Sequence, residues 1–246
     1  MYNLLLKSGE KMPVYKIAGL NVGYEPRYSL LRQRSEKYLC KEKADFNISV
    51  SDNLMERQIE YYKDVLQGAQ LEYLWIGALF NLKLLEYNGM FLHSSTVVVD
   101  GRAYSFSAPC KTGKSTHTAL WLKLFGDKAF IINDDKAAFR KIDGKHLVFG
   151  TPFSGKSDLN VNTSAELAGI CFIEQSPENS IERIDPDSAL PLLISQTIRP
   201  ANPERMIMLC DFLDELLHDV PVYRLKCNVS TDAAELSYKT MSRKLL

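Results

Sequence analysis

The chain carries no excess of either charge: lysine and arginine together number 30, and so do aspartate and glutamate. Bulk electrostatics therefore give no reason to expect a nucleic-acid partner. It also lacks cysteines at metal-ligand spacing. Its five, Cys40, Cys110, Cys171, Cys210 and Cys227, are odd in number and scattered, which argues against a structural zinc site and a disulfide framework and for reduced, cytoplasmic thiols. Long hydrophobic runs are missing as well. The apolar stretch in residues 1–7 is too short for a signal peptide. Residues 73–82, the most apolar segment, fall far short of a bilayer and contain Asn81, so a buried helix is expected there rather than a membrane span. No repeat or low-complexity tract is visible.

What is present is enough apolar material for a large core. Hydrophobic residues make up 46% of 246, which excludes global disorder and fits one large α/β domain, or a domain with a smaller lobe. Residues 1 to about 50 read as short strands and turns, with period-two alternation in 14–17 and 46–50. Helices are expected over 54–67 and about 71–88, the second stopped by Asn88-Gly89. The alternation predicts strands at 96–99 and 102–106 around Asp100-Gly101, at 137–142 and 145–149 around Asp143-Gly144, and at 128–132, 167–173 and 222–225. Helices are predicted near 187–196, over 203–218 after Asn202-Pro203, and over 231–244. In the 203–218 helix, Met206, Leu209, Cys210, Leu213, Leu216 and Leu217 form an apolar stripe suited to the core. The expected division is an N-terminal α+β region, 1–89, and a nucleotide-binding domain, 90–246.

The most informative segment is Ser107-Ala-Pro-Cys-Lys-Thr-Gly-Lys-Ser-Thr116. It follows a strand pattern and opens a helical one (Ala119, Leu122, Phe125) that Gly126 ends, the setting of a phosphate-binding loop. Gly113 frees the backbone, Lys114 supplies a cation, Ser115 a hydroxyl for magnesium, and backbone N–H groups with the helix N-terminus face phosphate oxygens. Ala108, Pro109, Cys110, Lys111, Thr112 and Thr116 complete the candidate nucleotide-binding loop, although Ala108 stands where the full signature has glycine. The alternative is an ordinary Gly-Lys-Ser turn at a helix start.

Asn133-Asp134-Asp135 follows the 128–132 strand pattern. Neighbouring carboxylates repel unless a cation or proton is shared. One could serve Mg²⁺, which takes one or two carboxylates plus substrate phosphates, while the other accepts a hydroxyl proton. A plain turn between two strands is the competing reading. His93, just upstream of the loop, is either a satisfied core histidine or a tuner of a catalytic aspartate. Lys156 and Arg199 are weaker candidates for contacting phosphate or an acidic substrate. His117 and Trp121 follow the loop on its helix, Trp121 as packing.

In order, His93-Ser-Ser, Ala108-Pro-Cys-Lys-Thr-Gly-Lys-Ser-Thr116 and Asn133-Asp-Asp-Lys136 resemble the catalytic domain of HPr kinase/phosphorylase, a family sharing its P-loop core with phosphoenolpyruvate carboxykinase, and more closely the HPr-kinase-related bacterial proteins. The resemblance covers about residues 90–175, and the first third does not look like that enzyme's sensor domain. It implies an α/β P-loop kinase core of that type, a mixed sheet with flanking helices, plus a small α+β N-terminal region. It further implies ATP and Mg²⁺ as cofactors, Lys114 on the β- and γ-phosphates, Ser115 and Asp134 at the metal, Asp135 as proton acceptor and His93 as the catalytic-site histidine. An oligomer is implied too. Lys111 replaces a loop glycine, and no acidic residue near 147–151 matches the family's metal-binding glutamate. Three functions remain open on the sequence: a kinase phosphorylating serine of a small protein or peptide, a small-molecule kinase, and a nucleotide-binding regulatory module without catalysis.

Overall fold

The structure, a computed structural model, describes residues 12–243, so the reading of residues 1–7 lies outside it. The chain divides into two compact units, one running to Phe80 and the other beginning at Asn81. Among the described residues, no helix is long and apolar enough to cross a membrane.

In the first unit β1 (Val14–Ile17) and β2 (Leu20–Gly23) pair antiparallel across Ala18-Gly19, both with positive φ. Helix α1 (Ser29–Ser35) follows, where the sequence suggested only strands and turns; it buries Leu31 and Ser35. Strands β3 (Leu39–Cys40) and β4 (Phe46–Asn47) complete a sheet of order β3-β1-β2-β4. The strand expected to reach residue 50 ends at Asn47. Helix α2 (Asp52–Tyr61) starts on Ser51, whose hydroxyl accepts from the Leu54 N–H at 3.3 Å. It ends well before the expected residue 67, because Tyr62 and Val65 stay exposed and have no core to cover. Helix α3 (Gly68–Leu84) contains the division point.

In the second unit the end of α3 runs into a 3₁₀ turn (Leu85–Tyr87) stopped by Asn88, whose φ of 52° is left-handed. Next come β5 (Gly89–Val99), β6 (Arg102–Ser107), α4 (Lys114–Phe125), β7 (Ala129–Ile142), β8 (Lys145–Phe149) and β9 (Ser164–Gln175). They are followed by β10 (Ser180–Ile184), α5 (Pro186–Ser195), α6 (Pro203–Asp219), β11 (Val222–Cys227) and α7 (Thr231–Met241). Position 244, in the expected span of the last helix, is outside the described residues. The Asp-Gly pairs at 100–101 and 143–144 have positive φ at both positions, as two-residue hairpins require.

The sheet is mixed, of order β10-β11-β9-β6-β5-β7-β8. Strands β6, β9 and β11 run parallel and the other neighbours antiparallel. Strand β8 also pairs with β9, Val148 opposite Ala165, so β9, β6, β5, β7 and β8 close into a ring of pairings. Alternation along β9 feeds two cores. Ile170 and Phe172 join Met90, Leu92, Phe139 and the α5 and α6 residues Leu193, Leu209, Phe212, Leu213 and Leu216. Cys171 and Ile173 join Val97, Phe106, Trp121 of α4 and Ala233, Ala234 and Met241 of α7. Cys210, counted into the α6 stripe, is exposed.

Two predicted strands, 128–132 and 137–142, are one. The Asn-Asp-Asp segment lies within β7 rather than at a strand end, pairing with β5: Asn133 opposite Thr96, Asp134 opposite Ser95, Asp135 opposite Ser94. The turn tendency survives as one bond, the Asn133 side chain accepting from the Lys136 N–H at 2.9 Å. Ladder pairing overrides it otherwise, with a register shift between Thr96 and Val97.

Candidate functional site

The site grows from the β6–loop–α4 connection. Ser107 ends β6, and its hydroxyl donates to the His93 carbonyl at 2.9 Å, fixing the loop's start to β5. The backbone then turns through Lys111 (φ 66°) and Gly113 (φ 116°). A Cβ at Gly113 would meet nothing within 4 Å, so glycine is needed there for its torsion and not for space. Lys111 takes a left-handed conformation that costs a residue with a Cβ about 1–2 kcal/mol. No side chain caps α4, leaving its first N–H groups for another acceptor.

Lys114 is buried. Its ammonium donates to the carbonyls of Ala108 (2.8 Å) and Pro109 (3.3 Å). Burial lowers its pKa, partly countered by the negative potentials of Asp135, Cys110 and Asp134. Helix α4 is pinned to β5 by the Ser95 and Thr118 hydroxyls, 2.8 Å apart.

That placement sets Ser115 against Asp134: the Ser115 hydroxyl donates to Oδ1 at 2.8 Å. Ser157 donates to Oδ2, also at 2.8 Å. Sequence reasoning missed Ser157, which lies 23 residues away in the β8–β9 connection and has no motif of its own. Asp135 has different partners. With φ at 107°, its carboxylate meets His93 Nε2 at 3.3 Å and the Lys136 ammonium at 2.9 Å. Burial would raise the Asp135 pKa; the hydrogen bond from His93 and the charge and hydrogen bond of Lys136 outweigh it and hold it at about 2. His93 is fixed in turn by Gln196, which accepts from its backbone N–H at 2.8 Å and has Oε1 2.9 Å from Nδ1. Gln196, missed as well, is 103 residues away and carries no local signal. Gly155 packs against Asp135, where an added Cβ would lie 2.9 Å from the Asp135 Cβ.

The structure thus brings His93, Lys114, Ser115, Asp134 and Asp135 together. Lys156 and Arg199 are exposed, and neither has an ion pair or hydrogen bond to these groups among the described residues. Trp121 is fully buried in the α4 core, as expected. His117 is buried too, and burial lowers its pKa to about 4. Beside the loop, Lys111, Thr112, Gly113 and Thr116 form one wall of a cleft of about 580 Å³. Gln175 ties its far side to the loop, donating to the Thr112 carbonyl at 3.1 Å.

For a metal, the donors are few. Among the described residues no group of three or more histidine, cysteine or acidic side chains gathers as a ligand set. Asp134 with Ser115 fits Mg²⁺ that arrives with phosphates and keeps waters, rather than a resident ion.

Neither a family model nor a curated protein matches the chain. Among solved structures it is similar to the Hpr(Ser) kinase/phosphatase from Coxiella burnetii, with 9% sequence identity and a TM-score of 0.36, over 61% of this chain and 95% of that one. The likeness is distant in fold and says nothing about activity.

Proposed function

We propose that the protein is an ATP-dependent phosphotransferase that moves the γ-phosphate to a hydroxyl, with serine of a small protein or peptide as the acceptor class. One observation carries the reading: two adjacent carboxylates have separate partners, Asp134 the Ser115 hydroxyl and Asp135 the His93 imidazole, beside a loop that buries a lysine. Two acidic groups with no division of labour would gain nothing from adjacency. The serine acceptor comes from the motif resemblance, since the residues at hand specify only a hydroxyl. The five cysteines are unpaired, in keeping with a cytoplasmic setting.

In this reading the triphosphate displaces the Ala108 and Pro109 carbonyls from Lys114, whose ammonium then neutralises the β- and γ-phosphates. The α4 N–H groups complete the cradle. Ser115 and Asp134 would hold Mg²⁺, which supplies charge neutralisation on the phosphates when bound. Asp135 orients the acceptor hydroxyl. As the acceptor oxygen bonds to the γ-phosphorus and the bridging P–O bond to ADP breaks, the hydroxyl proton passes to Asp135. At a pKa of about 2 Asp135 is a weak base at rest. Drawing Lys136 toward phosphate would raise its proton affinity at the moment of need. His93 keeps the carboxylate aimed.

A second reading, a nucleotide-binding module without turnover, is favoured by the strained torsion of Lys111 and by the self-satisfied Lys114. ADP release from Mg²⁺-ATP, assayed with protein, peptide and small-alcohol pools, separates the two. For the kinase, Asp135→Asn keeps ATP affinity and lowers turnover by roughly 10²–10⁴-fold. Wild-type protein that binds ATP and never yields ADP with any pool favours the module.

A further inference from the structure

A segment of the chain itself lies along the two carboxylates. The β8–β9 connection runs back beside β7. The Asp134 N–H donates to the Leu159 carbonyl at 2.9 Å and the Val161 N–H to the Ile132 carbonyl at 3.0 Å, and Asn133 forms an antiparallel bridge with Asn160. Just before that bridge, residues 154–158 make a tight loop. The Ser154 hydroxyl closes its base on Asp158 Oδ1 at 2.8 Å, and the Asn160 amide donates to Ser154 Oγ at 2.6 Å and to Asp158 Oδ1 at 3.0 Å.

The loop touches both members of the pair. At Gly155, φ is 63°, and an added Cβ would lie 2.9 Å from the Asp135 Cβ and 3.3 Å from the Asp134 carbonyl oxygen, so torsion and close approach both call for glycine. Two residues on, the Ser157 hydroxyl donates to Asp134 Oδ2 at 2.8 Å. Asp134 is buried and needs donors, which accounts for a hydroxyl there. It does not account for the glycine that lays the backbone on Asp135. Ser157 is exposed, so water could satisfy its hydroxyl without that carboxylate. A serine that gives its one proton to a carboxylate keeps its lone pairs turned away from it. An acceptor oxygen takes that arrangement when it attacks phosphorus and loses its proton to a base.

We propose that Ser157 is a phosphoacceptor in cis, modified by the protein's own site. The proposal rests on the phosphotransferase reading. Ser157 Oγ bonds to the γ-phosphorus of ATP, and the bridging P–O bond breaks to leave ADP. The hydroxyl proton passes along its existing hydrogen bond to Asp134 Oδ2 and from there to solvent. Oδ1, the oxygen bonded to Ser115, takes no part. With the hydroxyl already held in place, the transfer is unimolecular in the nucleotide complex.

The test incubates the full chain with γ-labelled Mg²⁺-ATP and no added acceptor, then maps the label by peptide mass spectrometry. Label is expected on Ser157, approaching one phosphate per chain, with a rate constant that does not change on dilution of the protein. Ser157→Ala should carry no label. Ser157→Thr should carry phosphothreonine at the same position, which a hydroxyl present only to satisfy Asp134 would not do. ADP release with an added acceptor pool while Ser157 stays unlabelled overturns the proposal and leaves the phosphotransferase reading intact. Label confined to other residues, or a rate constant that rises with protein concentration, overturns it as well. Label on Ser157 without transfer to any pool upholds the proposal and removes the separate acceptor. If no label forms and no pool yields ADP, both readings fall.

Discussion

Strands β5 and β7 are one ladder with two characters. Where Met90 and Leu92 face Phe139 and Ala137, the register is regular and the side chains are apolar and buried. Four residues on, Ser94, Ser95 and Thr96 face Asp135, Asp134 and Asn133. All but Asp135 are buried polar residues, the register shifts beside Thr96, and Asp135 leaves the extended region. Burial of this kind is tolerable only when each group has a partner. Thr96 and Ser105 hydroxyls lie 2.6 Å apart, and the Asn133 amide donates to the Thr151 carbonyl at 3.0 Å. The difference teaches where the fold gives up regularity: along the stretch that carries the two carboxylates. The apolar half anchors the ladder, and the polar half presents Asp134 to Ser115 and Asp135 to His93.

The comparison breaks if the two halves respond alike to substitution. The largest effect is expected in the apolar half. Phe139→Ala should lower unfolding free energy by about 3–5 kcal/mol in denaturant titrations, with ATP affinity of the folded protein unchanged; a large loss of affinity would mean that the halves are not separable. In the loop facing the polar half, Lys114→Ala should leave stability nearly intact and weaken Mg²⁺-ATP by roughly 10–100-fold, the loss of charge-assisted hydrogen bonds. Unchanged affinity would remove the phosphate reading of the loop.

Asp135 sharpens the contrast through pH. Its folded pKa of about 2 lies below the ordinary 3.8, so the carboxylate stabilises the folded state above about pH 4, and that contribution disappears as pH falls through about 2. The difference is on the order of 2 kcal/mol. Denaturant titrations of metal-free protein between these limits should show it, and Asp135→Asn should flatten that part of the profile. The smallest effect belongs to Lys111→Gly, which relieves a left-handed torsion while adding chain entropy to the unfolded state. A net gain of at most ~1 kcal/mol is expected from thermal unfolding, and a loss would show that the Lys111 side chain has a stabilising contact that outweighs its torsion.

Much of the second unit was legible because its signals are local. Asp100-Gly101 and Asp143-Gly144 specify hairpins through torsion alone, and Asn202 caps α6 by accepting from the Arg205 N–H as its position before Pro203 suggests. The mixed sheet with flanking helices follows from such elements. What sequence reasoning missed depends on distant partners. Asn133-Asp-Asp reads as the end of a strand until β5 pairs with it and carries the strand on to Ile142. Strand β10 is a mostly exposed edge that alternates weakly, recognisable only by its pairing with β11. Helix α2 stops early because nothing covers its last apolar turn. At the site, the loop, His93 and the aspartates announced themselves by motif, whereas Ser157 and Gln196 are polar residues in connections whose place is set by folding. The torsion at Lys111 lies between: a lysine at a loop position that the resembling family gives to glycine was visible in the sequence, and its φ of 66° states the physical consequence.

The most direct test of the central claim is a crystal structure with a non-hydrolysable ATP analogue and Mg²⁺. The account predicts the triphosphate on the 108–116 loop, Lys114 turned from the Ala108 and Pro109 carbonyls to the β- and γ-phosphates, the metal on Ser115 and Asp134, and Asp135 on the open side of the γ-phosphate. A nucleotide bound elsewhere, with Lys114 still donating to the two carbonyls, would contradict it.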